Sequence, residues 1–220
     1  MIHTLSCRCI FLLLLIMMTA CTTTPPTNTE NVCEIFREKG WYHDAAEARD
    51  QWGSSIPTMM AIIHQESRFV ADAQPPRKWY LGFIPGSRPS SAYGYPQAKD
   101  GTWEGYMRST GNYGDDRDDF ADAIMFIGWY NDQTNKRNKV AKWDTQKLYL
   151  AYHEGHGGYA RGSYKKKKWL MAVSKKVANQ SWRYKKQLES CEKELIADKK
   201  FLWIFFNKKG KKRFVFYCFY

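Results

Sequence analysis

Between Asp119 and Asn131 the chain carries Phe120, Ala123, Ile124, Phe126, Ile127 and Tyr130, spaced as on a helix whose apolar surface is almost continuous. A helix with so little polar face must be surrounded by other elements, so it belongs at the centre of a domain. The segments available to surround it also read as helices. Asn31 to Trp52 holds Val32, Ile35, Phe36, Trp41, Ala45, Ala46 and Ala48 and reads as two short helices broken at Gly40. Thr102 and Trp103 open another helix, Thr145 to Tyr152 forms one more, and Tyr164 to Glu194 reads as a closing helix or two. No alternating stretch is long enough to be a convincing strand, and no repeat is visible. The expectation is a mainly α fold in one domain from about residue 31 to 197, long enough for a proper core.

One further helix is predicted across SSIPTMMAIIHQESRF, Ser54 to Phe69. Pro57 suits a first turn, where its missing N–H costs nothing, and Ser54 or Ser55 can cap it. Met59, Ile62, Ile63 and Glu66 follow at spacings of three and four and share the face that turns to the core. The Glu66 carboxylate therefore emerges among apolar side chains. Burial there raises a carboxylate's pKa, which is what a general acid working near neutral pH requires. Taken alone, a glutamate so placed is more often the end of an amphipathic helix reaching solvent, so its companions must decide.

Outside the helices, Ala71 to Ser91 contains Pro75-Pro76, Pro85-Gly86 and Pro89 and is expected to be a long loop. Its Trp79, Tyr80, Leu81 and Phe83 either offer aromatic rings for stacking on sugars or pin the loop to the body. Ser91-Ala92-Tyr93-Gly94-Tyr95-Pro96-Gln97-Ala98 is a second turn-rich patch. Gly111 to Asp119 is a polar, acidic connection.

The ends of the chain differ from its middle. Residues 1–20 comprise a short segment with Arg8, an apolar run from Ile10 to Met18, and small residues before Cys21. The run is too short to span a bilayer and reads as an export signal. Met18-Thr19-Ala20-Cys21 resembles a bacterial lipobox, which implies a lipidated Cys21 as the mature N-terminus and, with Thr22 following, an outer-membrane anchor facing the periplasm. The alternative is an ordinary cleaved signal with Cys21 a passenger. Residues 21–30, polar and threonine-rich, read as a flexible tether. Cys33 and Cys191 lie at the two ends of the proposed domain and can pair there in an oxidising envelope, if their α-carbons approach closely enough. Residues 198–220 combine aromatic runs with lysines and receive no role.

The net charge of +12 is concentrated after residue 135, where Lys165–Lys168, Lys175-Lys176 and Lys185-Lys186 interleave with Trp169, Trp182 and Tyr184. This pattern could bind nucleic acid, but an exported chain rarely meets it. Anionic cell wall or membrane surface is the expected partner, against a merely solvated helix face.

Three patches occur in order: Glu66-Ser67 at a helix end, Ser91-Ala92-x-Gly94-x-x-Gln97 with Thr102 after the loop, and Ala151-Tyr152-x-x-Gly155 at a later helix end. Together they resemble the lytic transglycosylases of the soluble lytic transglycosylase (SLT) type, over roughly Ile56 to Tyr159. The resemblance implies a lysozyme-like helical domain with the Pro/Gly-rich loop beside its cleft, peptidoglycan glycan strands as substrate, and no cofactor or metal. It casts Glu66 as the single catalytic acid and base, and Tyr152 as the tyrosine that hydrogen-bonds and orients it. Ser67, Gly94 and Gln97 fall on substrate-binding positions. His153 stands where the family usually has an asparagine contacting an N-acetyl group, and Tyr95-Pro96 replaces apolar residues. These departures bear on subsite contacts more than on the acid.

The implied reaction cleaves between N-acetylmuramic acid and N-acetylglucosamine and closes a 1,6-anhydro ring, with no second carboxylate, unlike paired-carboxylate glycosidases. Three rivals remain. Glu154 or Asp100 across the cleft would activate water and make a hydrolytic muramidase. His153, Glu154 and His156 invite a zinc site, but lack the four-residue histidine spacing of a zincin helix, and the glycines around them argue against a helix. A non-catalytic wall-binding or secretion-assembly lipoprotein would suit the basic half. Partnership with a secretion or division complex is an expectation of the same kind.

Overall fold

The computed structural model of the chain describes residues 24–206, with side chains through 197. From Pro25 onward these residues form one unit. The segment expected to be an export signal, Cys21 and the tail beyond Phe206 lie outside the described residues.

The unit is helical almost throughout. Helices α1 (Val32–Lys39), α2 (Tyr42–Trp52) and α3 (Ile56–Ser67) lead to a long loop. The loop holds only a two-residue hairpin, β1 (Trp79–Tyr80) antiparallel to β2 (Ile84–Pro85). Then come α4 (Asp100–Thr110), α5 (Phe120–Asn138), α6 (Thr145–Ala160), a 3-10 turn over Ser163–Lys166, and α7 (Lys168–Phe206). The short helix α1 is capped by Asn31, whose side chain accepts from the Cys33 and Glu34 amides, and α5 is capped likewise by Asp119.

The two most apolar helices occupy the middle. On α3, Ile56, Met59, Met60, Ala61, Ile62 and Ile63 are all buried. It lies along α7, which also packs on α6 and α1, while α5 packs on α2 and α6. Trp41 stacks flat on Phe120 at 4.0 Å between ring centroids, and Phe126 sits within a cluster of Trp103, Tyr106, Trp129 and Tyr130.

Four features depart from the sequence reading. Helix α5 runs two turns beyond Asn131, because those turns are held by polar bonds to which apolar periodicity is blind. Asn131 donates to Ser54 Oγ at 2.9 Å, and Asp132 is clamped between Lys136 and Lys142 at 2.6 and 2.7 Å. Helix α6 does not stop at the glycines: it kinks at Gly155 and continues to Ala160. Helix α7 crosses the expected boundary at residue 198 without a break. Finally, residues 25–30 are not a free tether. Pro26 is buried, Thr27 donates to Glu38, Tyr184 donates to the Thr29 carbonyl, and Glu30 meets Arg183 at 3.0 Å. Lacking apolar residues, this stretch is secured by hydrogen bonds and ion pairs instead.

The loop aromatics do not pin the loop to the body. Trp79, Tyr80, Leu81 and Phe83 all project outward, Leu81 83% exposed. The base of the loop is what is fixed: Arg88 donates to the Pro75 carbonyl, and Gly94 N–H to the Ala73 carbonyl.

Candidate active site

Helix α3 delivers Glu66 in its last turn to the wall of a cleft of about 410 Å³. Around it stand Ala92, Gln97 and Ala98 from the turn-rich patch, Phe126 and Tyr130 from α5, and Tyr152, His153, Glu154 and Gly155 from α6. Burial outweighs a hydrogen bond with Tyr149 that lowers it, and together they place the Glu66 carboxyl at about 7. A carboxyl in that range is protonated in a large fraction of molecules at neutral pH and still able to give the proton up. A larger groove of about 750 Å³ lies at the other end of α3, by Ser55 and Ile56 and between Trp143 and Trp182. The acid is at the smaller one.

The structure distributes the expected site residues unevenly. Gln97 lines the cleft, with a positive φ of 50°, and its Nε2 donates to the carbonyls of Ala73 and Gly94 at 2.7 and 2.9 Å. What it can offer a ligand is its carbonyl oxygen. Gly94 is not among the lining residues. It is a packing glycine: with φ of 73°, a Cβ there would come within 2.1 Å of the Arg117 carbonyl oxygen. Ser67 is likewise not among the lining residues, and its hydroxyl donates back to the Ile63 carbonyl at 3.3 Å. Gly94 and Ser67 thus hold the backbone around the cleft.

Tyr152 is at the cleft, but its hydroxyl donates to the Pro96 carbonyl at 2.5 Å rather than to Glu66. The hydrogen bond to Glu66 comes from Tyr149, one turn earlier on α6 and only 3% exposed. The two tyrosines share a helix face at i and i+3; the deeper one reaches the acid, and the next ties α6 to the turn-rich patch. Burial pushes both hydroxyls far above their ordinary range, so both remain neutral donors. Tyr149 was missed because apolar periodicity absorbs it as core; its one legible signal is the spacing to Tyr152.

His153 and Glu154 stand side by side beyond the tyrosines. His153 Nδ1 lies 3.1 Å from Glu154 Oε1, and its ring meets Trp169 edge-on. The Glu154 side chain is only 4% exposed, with Lys167 Nζ 2.6 Å from Oε1 and Ser163 Oγ donating to Oε2. Burial would raise this carboxyl, yet the bonds from Lys167, Ser163 and His153 outweigh it and hold it at about 2. His156 goes elsewhere: it stacks on Tyr130 at 4.4 Å and bonds with Thr134. The two imidazoles therefore do not converge, and among the described residues no cluster of three potential ligands is arranged to hold a metal. Cys33 and Cys191 are joined, with α-carbons 6.1 Å apart, and bind α1 to α7.

A helical body that raises one carboxylic acid at a helix end, in a cleft walled by a glycine-kinked helix, is that of a lysozyme-like domain. The family model described as transglycosylase SLT domain matches residues 9–191, and the chain belongs to that family. Its general activity is of the lytic transglycosylase type, acting on peptidoglycan. Comparison with curated proteins and with solved structures returned no match.

Proposed function

We propose that the chain is a peptidoglycan lytic transglycosylase that cleaves the β-1,4 bond between N-acetylmuramic acid and N-acetylglucosamine and leaves a 1,6-anhydromuramic acid end. The observation that carries this reading is Glu66, a carboxyl raised to about 7 in a cleft with no second free carboxylate among the described residues that line it. Glu66 protonates the glycosidic oxygen as the bond from the anomeric carbon breaks. The substrate's own acetamide steadies the positive charge that develops, and the C6 hydroxyl of the same sugar then closes the ring, giving its proton to the now ionised Glu66.

Hydrolysis is the weaker reading because it needs a base to activate water on the far side of the sugar. Glu154 is spent on Lys167 and held at about 2, too acidic to take a proton from water. Asp100 is paired with Arg117 at 2.9 Å. A purely binding role leaves the desolvated acid unexplained. We further propose that the chain works in the bacterial envelope, lipid-anchored through Cys21 on the periplasmic side of the outer membrane.

The test is mass spectrometry of soluble products after incubation with purified peptidoglycan. Muropeptides with 1,6-anhydro ends support the reading, and the Glu66→Gln variant is expected to lose at least about 100-fold in rate while still sedimenting with peptidoglycan. Reducing ends, one water heavier, would transfer the chain to the hydrolases. No product from folded protein would leave a binding role.

A further inference from the structure

From Ala73 to Lys99 the chain has no acidic residue, while Arg77, Lys78, Arg88 and Lys99 make it cationic. Within this stretch the tip of the β1–β2 hairpin gathers Trp79, Tyr80, Leu81, Phe83 and Ile84, every one of them exposed. A single apolar residue on a surface is ordinary, but an unbroken apolar tip is a patch, and such patches mark sites of contact. Phe83 is 71% exposed and Trp79 60%, so neither does much for the core.

The turn at the tip is built against local preference. Leu81 has φ of 52° and Gly82 φ of 78°, so both central residues lie in the left-handed region. Hairpin turns of this kind favour asparagine followed by glycine, and a leucine there is strained as well as exposed. Nothing within the chain compensates for either.

The chemistry of the tip selects its partner. A platform for sugars needs hydrogen-bonding groups beside the ring face. Apart from the Trp79 indole and the Tyr80 hydroxyl, no side chain from Trp79 to Gly86 offers one. Tryptophan and tyrosine are also the residues that settle at a membrane interface, with aliphatic and phenyl groups below them. The hairpin closes its own backbone, as a segment entering acyl chains must. Its strands pair, Phe83 N–H donates to the Tyr80 carbonyl at 3.3 Å, and Gly86 N–H donates to the Lys78 carbonyl at 2.6 Å. At its base Arg77 and Arg88 donate to backbone carbonyls of the loop itself, beside Lys78, and none of the three has an ion-pair partner among the described residues.

We propose that this hairpin docks the protein on an anionic bilayer, its apolar tip entering the interface while lipid phosphates meet Arg77, Lys78 and Arg88. The proposal rests neither on how the glycan bond is cut nor on lipid at Cys21. Its consequence is placement of the cleft. The loop leaves from Ala73, whose carbonyl accepts from Gly94 N–H at 2.9 Å and from Gln97 Nε2 at 2.7 Å, and Gln97 lines the cleft of Glu66. Extended chain from Ala73 to Tyr80 spans at most about 25 Å. A docked tip therefore keeps the acid over glycan close to the membrane surface.

The experiment is hydrogen exchange read by mass spectrometry on the whole protein, with and without vesicles of phosphatidylethanolamine and phosphatidylglycerol, with a thermal melt of each variant. Peptides are read separately, so slowing at residues 79–84 reports the tip whatever else holds the chain to the vesicle. Exchange there is expected to slow about 10-fold on the anionic vesicles and less on phosphatidylcholine. Leu81→Asn suits the turn, so its melt is expected to stay or rise while the slowing is lost. Arg77→Gln with Lys78→Gln is expected to remove the difference between the two lipids. The proposal is overturned if the wild type does not bind vesicles, if it binds without slowing at 79–84, or if Leu81→Asn slows as much as the wild type. Slowing by a soluble glycan chain and not by vesicles overturns it as well and makes the tip a sugar platform.

Discussion

At the scale of single residues, the site depends on a division of labour between two tyrosines one turn apart. Tyr149 hydrogen-bonds the Glu66 carboxylate and lowers its pKa, against the burial that raises it. Tyr149→Phe removes a bond to the charged form, so Glu66 ionises at higher pH. The alkaline limb of kcat/KM is expected to move upward by no more than about one pH unit, the worth of a hydrogen bond of about 0.5–1.5 kcal/mol. Tyr152→Phe takes away only the bond to Pro96 and is expected to leave that limb in place. The pair of pH profiles separates the two. Identical shifts, or a shift only in Tyr152→Phe, would return the orienting role to Tyr152. Glu66 and the cleft position of Tyr152 were legible in sequence because the helix face and the ordered patches point to them. The partner of each hydroxyl was not, since it depends on which neighbour the fold brings within about 3 Å.

At the scale of elements, the glycines of α6 matter more for shape than for flexibility. Gly155 has φ of 73° and ψ of 157°, a conformation nearly restricted to glycine, and it turns α6 where the helix meets the cleft. A Cβ there would touch nothing within 4 Å, so replacement tests backbone strain alone. Gly155→Ala is expected to cost about 1–3 kcal/mol in denaturant unfolding and to lower activity by displacing His153 and Glu154. Stability equal to the wild type would show that the kink is not required. Sequence reading took these glycines as the end of the helix, which is the usual consequence of such a run. Continuation to Ala160 became possible because the Arg161 amide donates to the Gly157 carbonyl at 3.2 Å. Bonds between a helix and the loop that follows it leave no periodic trace.

For the whole molecule, α7 acts as the brace. It runs past α3, α6 and α1, and the Cys33–Cys191 bond closes a span of 158 residues onto it. Beside the bond, Arg37 pairs with Glu194 at 2.7 Å and the Tyr42 hydroxyl donates to Glu192 at 3.0 Å. Cross-linking so long a segment restricts the unfolded chain, so the Cys33→Ala, Cys191→Ala double variant is expected to lose about 2–5 kcal/mol, read as a lower thermal midpoint. An unchanged midpoint would show that the polar contacts beside it suffice to hold the ends together. Residues 25–30 extend the same brace: Glu30 also approaches His64 at 3.4 Å and Arg68 at 3.7 Å, so the chain entering the domain is fastened just behind the helix that carries the acid.

The sequence by itself determined the class of fold, the central helix, the acid and the order of the patches around it. Those depend on local periodicity and on spacing along the chain, and an apolar stripe interrupted by one carboxylate can be read from five or six residues. Tertiary structure alone decided which tyrosine touches the acid, that Gly94 serves packing against Arg117, that Ser67 bonds back into its own helix, and that Glu154 is occupied by Lys167. Each of these is a contact between residues whose types permit several partners, and only the folded positions of the backbone choose among them.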